Sequence, residues 1–295
     1  MLVLPFNKIA IIILHYGDIA NTLICLSSVL KIEDTSFEVI LVDNGTKEEA
    51  LQGIASSDPR IHLLRSEMNR GFSAGCNLGI RFALERAAQY FFLLNNDTIV
   101  APSVLQAFRQ AVQQFPEAGV FGAKIYFFSD PERIWYAGGD VNARTLRCHH
   151  TGCGDLDANW QVPRPTSYAC GCALFTKREV LERAGLFDEA FFLNWEEIDW
   201  CYRMRAKGYS CMFIPEAKVW HRISSSFIGG HGGPLWQYHY SRSRILFIKR
   251  HLSRMKRFRF YLSRLLCECL VLLLQPFQAT RRASLQGIWH GFIGK

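Results

Sequence analysis

The chain has 295 residues, of which 49% are hydrophobic and 20% are charged, and its net charge is +8. This balance is typical of a globular protein with a sizeable core, and it excludes a disordered or low-complexity chain. No repeat occurs at solenoid spacing, and no run of eighteen apolar residues is free of charge, so the sequence predicts neither a repeat array nor a membrane-spanning helix.

The cysteines and the N-terminus both bear on the compartment. The ten cysteines are scattered, and many lie in apolar or helical runs. The first residues lack the basic start and the small-residue cleavage site of a signal peptide. We therefore predict buried thiols in a reducing, cytoplasmic location.

The first half of the chain alternates short apolar runs with helical patterns. The predicted strands are residues 8–14, 37–42, 61–64, 90–94 and 120–125. The predicted helices are residues 21–31, 47–55, 75–88 and 102–115. Strands separated by helices of this length predict right-handed βαβ units and an α/β fold with a mostly parallel sheet flanked by helices.

Polar and glycine-rich residues follow the predicted strands. His15-Tyr16 follows the first strand, Asp43-Asn44-Gly45 the second, and Asn95-Asn96-Asp97 the fourth, while residues 69–75 precede the third helix. Parallel sheets bind ligands beyond the carboxyl ends of their strands. The pattern therefore predicts a nucleotide site at this edge.

The second half is less regular. Residues 128–165 predict loops that form a surface excursion over the site, and residues 210–214 predict a last short strand. Between them we predict a strand at 168–176 and helices at 177–184 and 195–207. The glycine-rich residues 229–233 are typical either of a hinge for a closing loop or of a plain linker.

The end of the chain is basic. Residues 242–264 contain nine Arg and Lys residues and no acidic residue, interleaved with apolar ones. This pattern suits an anionic membrane surface better than nucleic acid, and a solvated helix face is the alternative. We predict a catalytic domain over residues 1–250 and a basic amphipathic, membrane-associating tail over 251–295, without nucleic-acid binding.

Three acidic residues are crowded at the start of the helix predicted at 195–207. Glu196, Glu197 and Asp199 lie among two Trp and two Phe residues. Acidic first turns commonly compensate the helix dipole, which is the structural alternative. Carboxylates beside apolar surface resist ionisation, however, and one of them can serve as a general base.

Two further positions are candidate metal ligands. Asp97 follows an apolar strand, where a carboxylate is placed to hold a divalent cation on phosphates, although an Asx turn is the alternative. His221 would complete an oxygen-plus-imidazole site for Mg²⁺ or Mn²⁺. Cys148, His149, His150 and Cys153 are of zinc-ligand types, but their spacing fits no standard pattern unless Cys170 and Cys172 contribute, so zinc binding is left open.

Six motifs in order resemble family 2 glycosyltransferases of the GT-A fold, in particular the bacterial rhamnosyltransferase-like branch. The resemblance covers about residues 8–251. The motifs are VDNGT at 42–46, the glycine- and asparagine-rich run at 69–79, LLNNDT at 93–98, GLFDEAFFLNWEEIDWCYRMRAKGY at 185–209, PEAKVWH at 215–221 and YHYSRSRILFIKRH at 238–251.

The resemblance implies a role for each matched residue. Glu197 would be the catalytic base, and the acceptor-side residues would be Trp195, Glu196 and Asp199. Asp97 and His221 would hold Mg²⁺ or Mn²⁺ on the donor diphosphate. The nucleotide-sugar site would comprise Leu14, Tyr16, Asp43, Asn44, Asn69, Gly71, Asn77, Asn95 and Asn96.

Two positions depart from the family pattern. Asn95 replaces the first Asp of the metal-binding D-x-D motif, which removes a negative charge, and Glu197 replaces an Asp, which lengthens the base by one methylene.

The implied function is inverting transfer of a sugar from a nucleotide-diphosphate donor to a saccharide or lipid-linked acceptor. The expected pathway is bacterial surface polysaccharide synthesis, at the inner face of the cytoplasmic membrane. Rhamnose from dTDP-rhamnose is the first expectation for the donor, on branch resemblance alone. The alternatives are a non-catalytic membrane-attached scaffold and a sugar-1-phosphate nucleotidyltransferase, although the basic, glycine-rich loop that the latter needs after the first strand is missing.

Overall fold

The computed structural model describes residues 8–142, 144–222, 233–267, 270, 274 and 279–294. The strands are β1 (Ile9–His15), β2 (Phe37–Asp43), β3 (Ile61–Arg65), β4 (Tyr90–Asn95), β5 (Thr98–Val100), β6 (Ala118–Phe127), β7 (Ile134–Tyr136), β8 (Gly139–Val141), β9 (Cys148–His150), β10 (Arg164–Thr166), β11 (Ala173–Lys177) and β12 (Ser210–His221). The helices are α1 (Ile19–Val29), α2 (Ala50–Ser57), α3 (Gly71–Glu85), α4 (Val104–Gln114), α5 (Arg178–Ala184), α6 (Glu196–Arg205), α7 (Pro234–His251), α8 (Arg254–Phe260) and α9 (Ala279–Ile293), with a 3-10 turn at Asp157–Asn159 and a π-helical turn at Tyr261–Leu265.

The first half of the chain forms a parallel sheet. Strand β1 lies between β2 and β4 and is parallel to both, and β3 extends the sheet beyond β2. All seven residues of β1 are buried, as expected for a strand whose sheet is covered on both faces. The predicted α/β fold with a mostly parallel sheet is confirmed.

The second half makes the sheet mixed. The sheet order is β10-β12-β6-β11-β4-β1-β2-β3, and β11 lies antiparallel between β4 and β6. The strand predicted at 168–176 begins only at Ala173, because the two residues before it form a turn. In this turn Cys172 O accepts a hydrogen bond from Asn95 N (2.9 Å).

Strand β12 is longer than the five residues predicted for it. It continues to His221, parallel to β6, through a register shift between Ile214 and Lys218. Pro215 lies in this irregular stretch, where a residue without an N–H group is tolerated. The end of β12 then pairs antiparallel with β5, which the sequence did not predict.

The C-terminal helix α9 packs along α7. Tyr238 Oη and His290 Nδ1 are 2.8 Å apart, and Lys249 Nζ donates to Phe292 O (3.0 Å). A Cβ built at Gly287 would lie 2.2 Å from Tyr238 O, so the two helices approach closely there. Part of the segment predicted as a tail thus packs on the preceding helix.

Two other predictions concern this region. The glycine-rich residues 229–233 fall outside the described residues except for Gly233, which precedes α7. Among the residues that the structure describes, no helix is both long enough and apolar enough to cross a bilayer.

The close approach at Gly287 yields a first prediction. Gly287→Leu should separate α9 from α7, because overpacking costs roughly 1–3 kcal/mol. We expect faster amide hydrogen exchange in residues 279–294, measured by mass spectrometry. The matched control is Gln286→Leu, which adds the same side chain at the neighbouring exposed position. Equal exchange in the two variants would contradict the tight packing.

Candidate active site

Strand pairing brings Asp97 and His221 together. Asp97 lies in the turn between β4 and β5, and His221 is the last residue of β12, opposite Thr98 in the antiparallel register. His221 Nε2 and Asp97 Oδ1 are 3.1 Å apart, and both side chains are buried. The turn is fixed by hydrogen bonds from Thr98 Oγ1 to Asn95 O (2.6 Å) and from Arg222 N to Asp97 O (2.9 Å).

This pair fits a divalent cation that takes its other ligands from a substrate. His221 Nδ1 is buried and has no hydrogen-bond partner among the described residues. Mg²⁺ typically binds one or two carboxylates together with substrate phosphates and water. Asp97 and His221 would supply two protein ligands to such an ion, and the described part of the chain holds no group of three or more His, Cys, Asp or Glu ligands.

The carboxylates of α6 follow a strained backbone turn. Asn194 and Trp195, which precede the helix, both adopt positive φ angles, 63° and 73°. A bulky residue in this region costs of order 1–3 kcal/mol and persists only where its surroundings determine it. Trp195 is buried against Tyr240 and Phe247 of α7, with ring centroids 5.8 and 5.2 Å away.

The segment leading into this turn is clamped from both sides. Its four successive carbonyl groups, residues 190–193, each accept one hydrogen bond. The donors are Arg242 Nη1 to Ala190 O (2.9 Å), Ser73 Oγ to Phe191 O (2.6 Å), Phe72 N to Phe192 O (2.7 Å) and Ser243 Oγ to Leu193 O (3.0 Å). Two of these donors belong to α3 and two to α7, so both helices fix the entry to α6.

Gly71, the first residue of α3, makes this clamp possible. Its φ is +84°, and a Cβ there would lie 2.4 Å from Phe192 O. Any other residue would be strained in its own backbone and would also push the clamped segment away.

Four consecutive residues carry buried polar atoms that have no hydrogen-bond partner among the described residues. The atoms are Asn194 Nδ2, Trp195 Nε1, Glu196 Oε2 and Glu197 Oε2. Unsatisfied buried groups are rare in folded proteins, and a ligand with several hydroxyl groups would satisfy both the donors and the acceptors in this set.

Burial also changes the acidity of the two glutamates. It raises the pKa of Glu197 to about 7, even though backbone N–H groups, including that of Gly171, hydrogen-bond to the carboxyl group. Burial, and then repulsion from Glu197, raises the pKa of Glu196 well above its usual range. Glu197 therefore titrates near neutrality, as a general base should.

One cavity joins the two halves of the site. It has a volume of about 180 Å³, and Asn95, Asp97 and His221 line it together with Trp195, Glu196 and Glu197. Aromatic residues form much of the remaining wall: Phe72, Trp135, Tyr168, Trp236 and Tyr240. The cavity thus combines a candidate metal pair, a carboxyl group that titrates near pH 7 and aromatic faces.

A second cluster lies at the carboxyl ends of β1 and β2. Asp43 Oδ1 accepts from Thr46 N (2.9 Å), and Asp43 Oδ2 from Arg65 Nη1 (3.1 Å). Asn44 Nδ2 donates to Asn69 Oδ1 (3.0 Å) and to Gly71 O (3.2 Å), which ties β2 to α3. Here Leu14 packs close to Gly75, and Tyr16 is exposed.

Three residues of the predicted site make most of their polar contacts with the protein itself. Asn77 hydrogen-bonds both the N–H and the carbonyl group of Phe187, and Asn96 Nδ2 donates to Thr22 Oγ1 (2.8 Å). Asp199 accepts from Arg203 Nε (2.8 Å) and lies 2.6 Å from His251 Nε2. These contacts support the loops and helices around the cavity.

The structure describes all of the Cys and His residues considered for zinc, and they do not come together as a set of metal ligands. Cys148 and His150 lie on β9 and line the cavity, together with Cys170 and Cys172, while Cys153 is exposed. Across the described residues these side chains form no group of metal ligands.

Comparison with known proteins identifies the family. The model of the family described as glycosyl transferase family 2 matches residues 10–185, which is more than half of the chain. The chain belongs to glycosyl transferase family 2. The match contains the Asp97 turn, and the resemblance seen in the sequence is confirmed.

Two relatives of this glycosyltransferase are named as rhamnosyltransferases. The dTDP-rhamnosyl transferase RfbF of Shigella flexneri is 21% identical, over 75% of this chain and 71% of that protein. The N-acetylglucosaminyl-diphospho-decaprenol L-rhamnosyltransferase of Mycobacterium tuberculosis is 24% identical, over 68% of this chain and 71% of that protein. Protein y4gI of Sinorhizobium fredii is 29% identical over 65% of this chain, but the match spans only 22% of y4gI.

Solved structures show the same fold. GalNAc-T7, crystallised with UDP, GalNAc and Mn²⁺, superposes with a TM-score of 0.65 at 14% identity, over 97% of this chain and 56% of that chain. TarS 1-349 of S. aureus superposes with a TM-score of 0.60 at 13% identity, over 96% of this chain and 80% of that chain. The predicted GT-A fold is confirmed.

Sequence reasoning missed the aromatic wall of this glycosyltransferase. Trp135 comes from the excursion that was predicted to cover the site, Tyr168 from the start of the strand predicted at 168–176, and Trp236 and Tyr240 from the first turns of α7. The spacing of Trp236 and Tyr240, four residues apart on one helix face, was the available signal.

The raised pKa of Glu197 yields a second prediction. Its carboxyl group binds a proton more tightly in the folded state than in the unfolded state. The protein therefore loses stability as the pH rises from about 4.5 to about 7, and the full loss remains above that range. Glu197→Gln should therefore stabilise the protein at pH 8 and have little effect at pH 4.5.

Urea unfolding at both pH values tests this prediction. Glu117→Gln, at an exposed position, is the control and should have little effect at either pH. Destabilisation by Glu197→Gln at pH 8 would contradict the assigned pKa.

Proposed function

We propose that this family 2 glycosyltransferase is a metal-dependent, inverting enzyme that transfers a sugar from a nucleotide-diphosphate donor to a hydroxyl group of a saccharide or lipid-linked acceptor. One observation carries the proposal. The Glu197 carboxyl, with a pKa of about 7, lines the same cavity as the Asp97–His221 pair. A base and a candidate diphosphate-binding pair thus lie on one cavity.

The reaction is a single displacement. Glu197 accepts the proton of the acceptor hydroxyl while that oxygen forms a bond to the anomeric carbon. The bond from this carbon to the phosphate oxygen breaks, and the nucleoside diphosphate leaves with the electron pair. Attack from the opposite face inverts the configuration, and the Glu197 carboxyl then releases its proton to solvent.

The two sides of the cavity hold the two substrates. Asp97 and His221 would hold a divalent ion, Mg²⁺ or Mn²⁺, which when bound would supply positive charge next to the departing diphosphate. Asn194, Trp195 and Glu196 offer unsatisfied polar groups to the acceptor hydroxyls. Leu14, Tyr16, Asp43 and Asn44 contact the nucleobase at the ends of β1 and β2.

Rhamnose from dTDP-rhamnose is the first candidate for the donor sugar. The names of the relatives from Shigella flexneri and Mycobacterium tuberculosis support it, and the second name also supports a lipid-linked acceptor. A screen of nucleotide sugars, read out by product mass spectrometry, tests this choice. Transfer of another sugar but not of rhamnose would overturn it and leave the reaction class intact.

The enzyme works as a peripheral protein at the inner face of a bacterial cytoplasmic membrane, in surface polysaccharide synthesis. Exposed basic residues directly after α7 support this location, among them Arg254, Lys256 and Arg259. Basic segments gain roughly 1 kcal/mol per Lys or Arg near an anionic leaflet.

A third prediction concerns the base. Glu197→Gln should lower kcat by roughly 10²–10⁴-fold while donor binding survives, because a positioned base contributes this much to a proton transfer. In the unchanged enzyme, kcat/KM should rise with pH and level off above about pH 7, since only the ionised carboxylate accepts a proton.

Glu117→Gln is the control for this variant and should keep full activity. Full activity of Glu197→Gln would remove Glu197 from its role. Loss of activity in every preparation, with no donor hydrolysis, would favour a scaffold over an enzyme.

A fourth prediction concerns the metal pair. Asp97→Ala should weaken donor binding by more than about tenfold in the presence of Mn²⁺, because it removes the only carboxylate of the pair. Without the metal, the variant and the unchanged enzyme should bind the donor equally weakly. Titration calorimetry with and without Mn²⁺ measures both, with Asp130→Ala as an exposed control. Metal-independent donor binding by the unchanged enzyme would contradict the proposal.

A further inference from the structure

An exposed apolar stripe runs along the helical segment that follows α7. Its members are Met255, Phe258, Leu262 and Leu266, which are between 50% and 63% exposed. They recur every three or four residues, so successive members lie on the same side of a helix. Exposed apolar residues that occur singly are normal, but a row of four along one side of a helix marks an interaction surface.

The π-helical turn keeps this stripe on one side. Members four residues apart on an α-helix drift by about 40° per step, because one turn takes only 3.6 residues. The turn at Tyr261–Leu265 is wider, with bonds between residues five apart, and offsets part of this drift. The irregular turn thus aligns the residues before it with those after it.

The stripe is not the face that packs on the protein. Phe260 and Leu265 are buried in a small cluster with Ile245 and Ile248 of α7. Phe260 lies two residues from both Phe258 and Leu262, which places it on the opposite side of the helix. The segment is therefore fixed to the enzyme by one apolar face and presents a second one outward.

Basic residues border the stripe. Arg254, Lys256 and Arg259 are exposed on α8, and residues 242–267 contain no acidic side chain. Long basic side chains extend beside an apolar surface toward anionic head groups while their stems stay buried. A second copy of this chain would instead bring the same basic residues face to face, so like charges would repel each other.

We propose that this stripe docks the enzyme on an anionic lipid bilayer, with the apolar residues inserted at the head-group boundary and the basic residues on lipid phosphates. The inference deepens the proposed membrane location and rests on it, but docking requires no catalysis. Docking would also fix the orientation of the cavity relative to the bilayer. The stripe begins four residues after the end of α7, and α7 carries Trp236 and Tyr240 of the cavity wall. A lipid-linked acceptor would thus be presented to a site held at a fixed position relative to the bilayer.

Vesicle flotation of the full chain tests the inference. We expect binding to vesicles of phosphatidylcholine mixed with phosphatidylglycerol, and much weaker binding to phosphatidylcholine alone. Phe258→Ser/Leu262→Ser should weaken binding to the anionic vesicles by roughly tenfold or more, because two inserted apolar side chains are lost. Val162→Ser, at a 68% exposed position outside the tail, is the control and should bind normally.

A charge variant separates the two contributions. Lys256→Gln/Arg259→Gln should lower binding to the anionic vesicles and leave the weak binding to neutral ones unchanged. Because all these residues are exposed, thermal unfolding should match that of the unchanged protein, which separates lost docking from misfolding.

The inference would be overturned if the unchanged protein did not bind anionic vesicles, or if the Phe258/Leu262 variant bound them normally. It would also be overturned if the unchanged protein bound no vesicles but self-associated in ultracentrifugation, and the variant did not. Vesicle binding by a protein that transfers no sugar would instead leave the docking intact and contradict the proposed function. Sugar transfer to a water-soluble acceptor by a protein that binds no vesicles would support the proposed function and contradict the docking.

Discussion

The four hydrogen bonds that hold the carbonyl groups of residues 190–193 are the constraint on which the site depends. Two come from α3 and two from α7, so a segment far from both helices in sequence is fixed between them. This clamp, together with the aromatic rings packed on Trp195, keeps Asn194 and Trp195 in the positive-φ conformation that precedes α6. The start of α6 in turn sets where the Glu196 and Glu197 carboxyls lie, and their burial there raises both pKa values. The acidity of the candidate base is thus a consequence of the packing of two distant helices.

The opposite side of the cavity depends on the sheet. The register of β5 against β12 places His221 beside Thr98, and therefore beside Asp97. Only a strand that runs on through the irregularity after Ile214 reaches this position. Strand pairing thus positions the Asp97–His221 pair, while the carboxylates opposite lie at the start of a helix whose entry is held by hydrogen bonds from α3 and α7. The cavity is therefore lined on one side by a pair positioned by the sheet, and on the other by buried polar groups that have no hydrogen-bond partner among the described residues.

The sequence predicted the parallel half of the fold because each of its strands is a continuous apolar run separated from the next by a helix. It did not predict that β11 runs antiparallel, since an apolar strand has the same pattern in either direction. It also ended the last strand at Ile214, because the following Pro215 and Glu216 give no strand signal. Asp97, His221 and Glu197 were predicted as site residues from residue type and order, and all three line one cavity. The aromatic wall was not predicted, because Trp135 and Trp236 come from segments whose approach to the cavity depends on tertiary packing alone.

Helix α7 connects features that the sequence treated separately. Its first turns supply Trp236 and Tyr240 to the cavity, its middle supplies Arg242 and Ser243 to the clamp, and its last residue, His251, contacts Asp199 of α6. The same helix carries α9 along its length and buries the inner face of the segment that bears the exposed stripe. The two sides of the cavity thus depend on different parts of the fold: strand pairing positions Asp97 and His221, and α7 contributes to the clamp in front of Glu196 and Glu197.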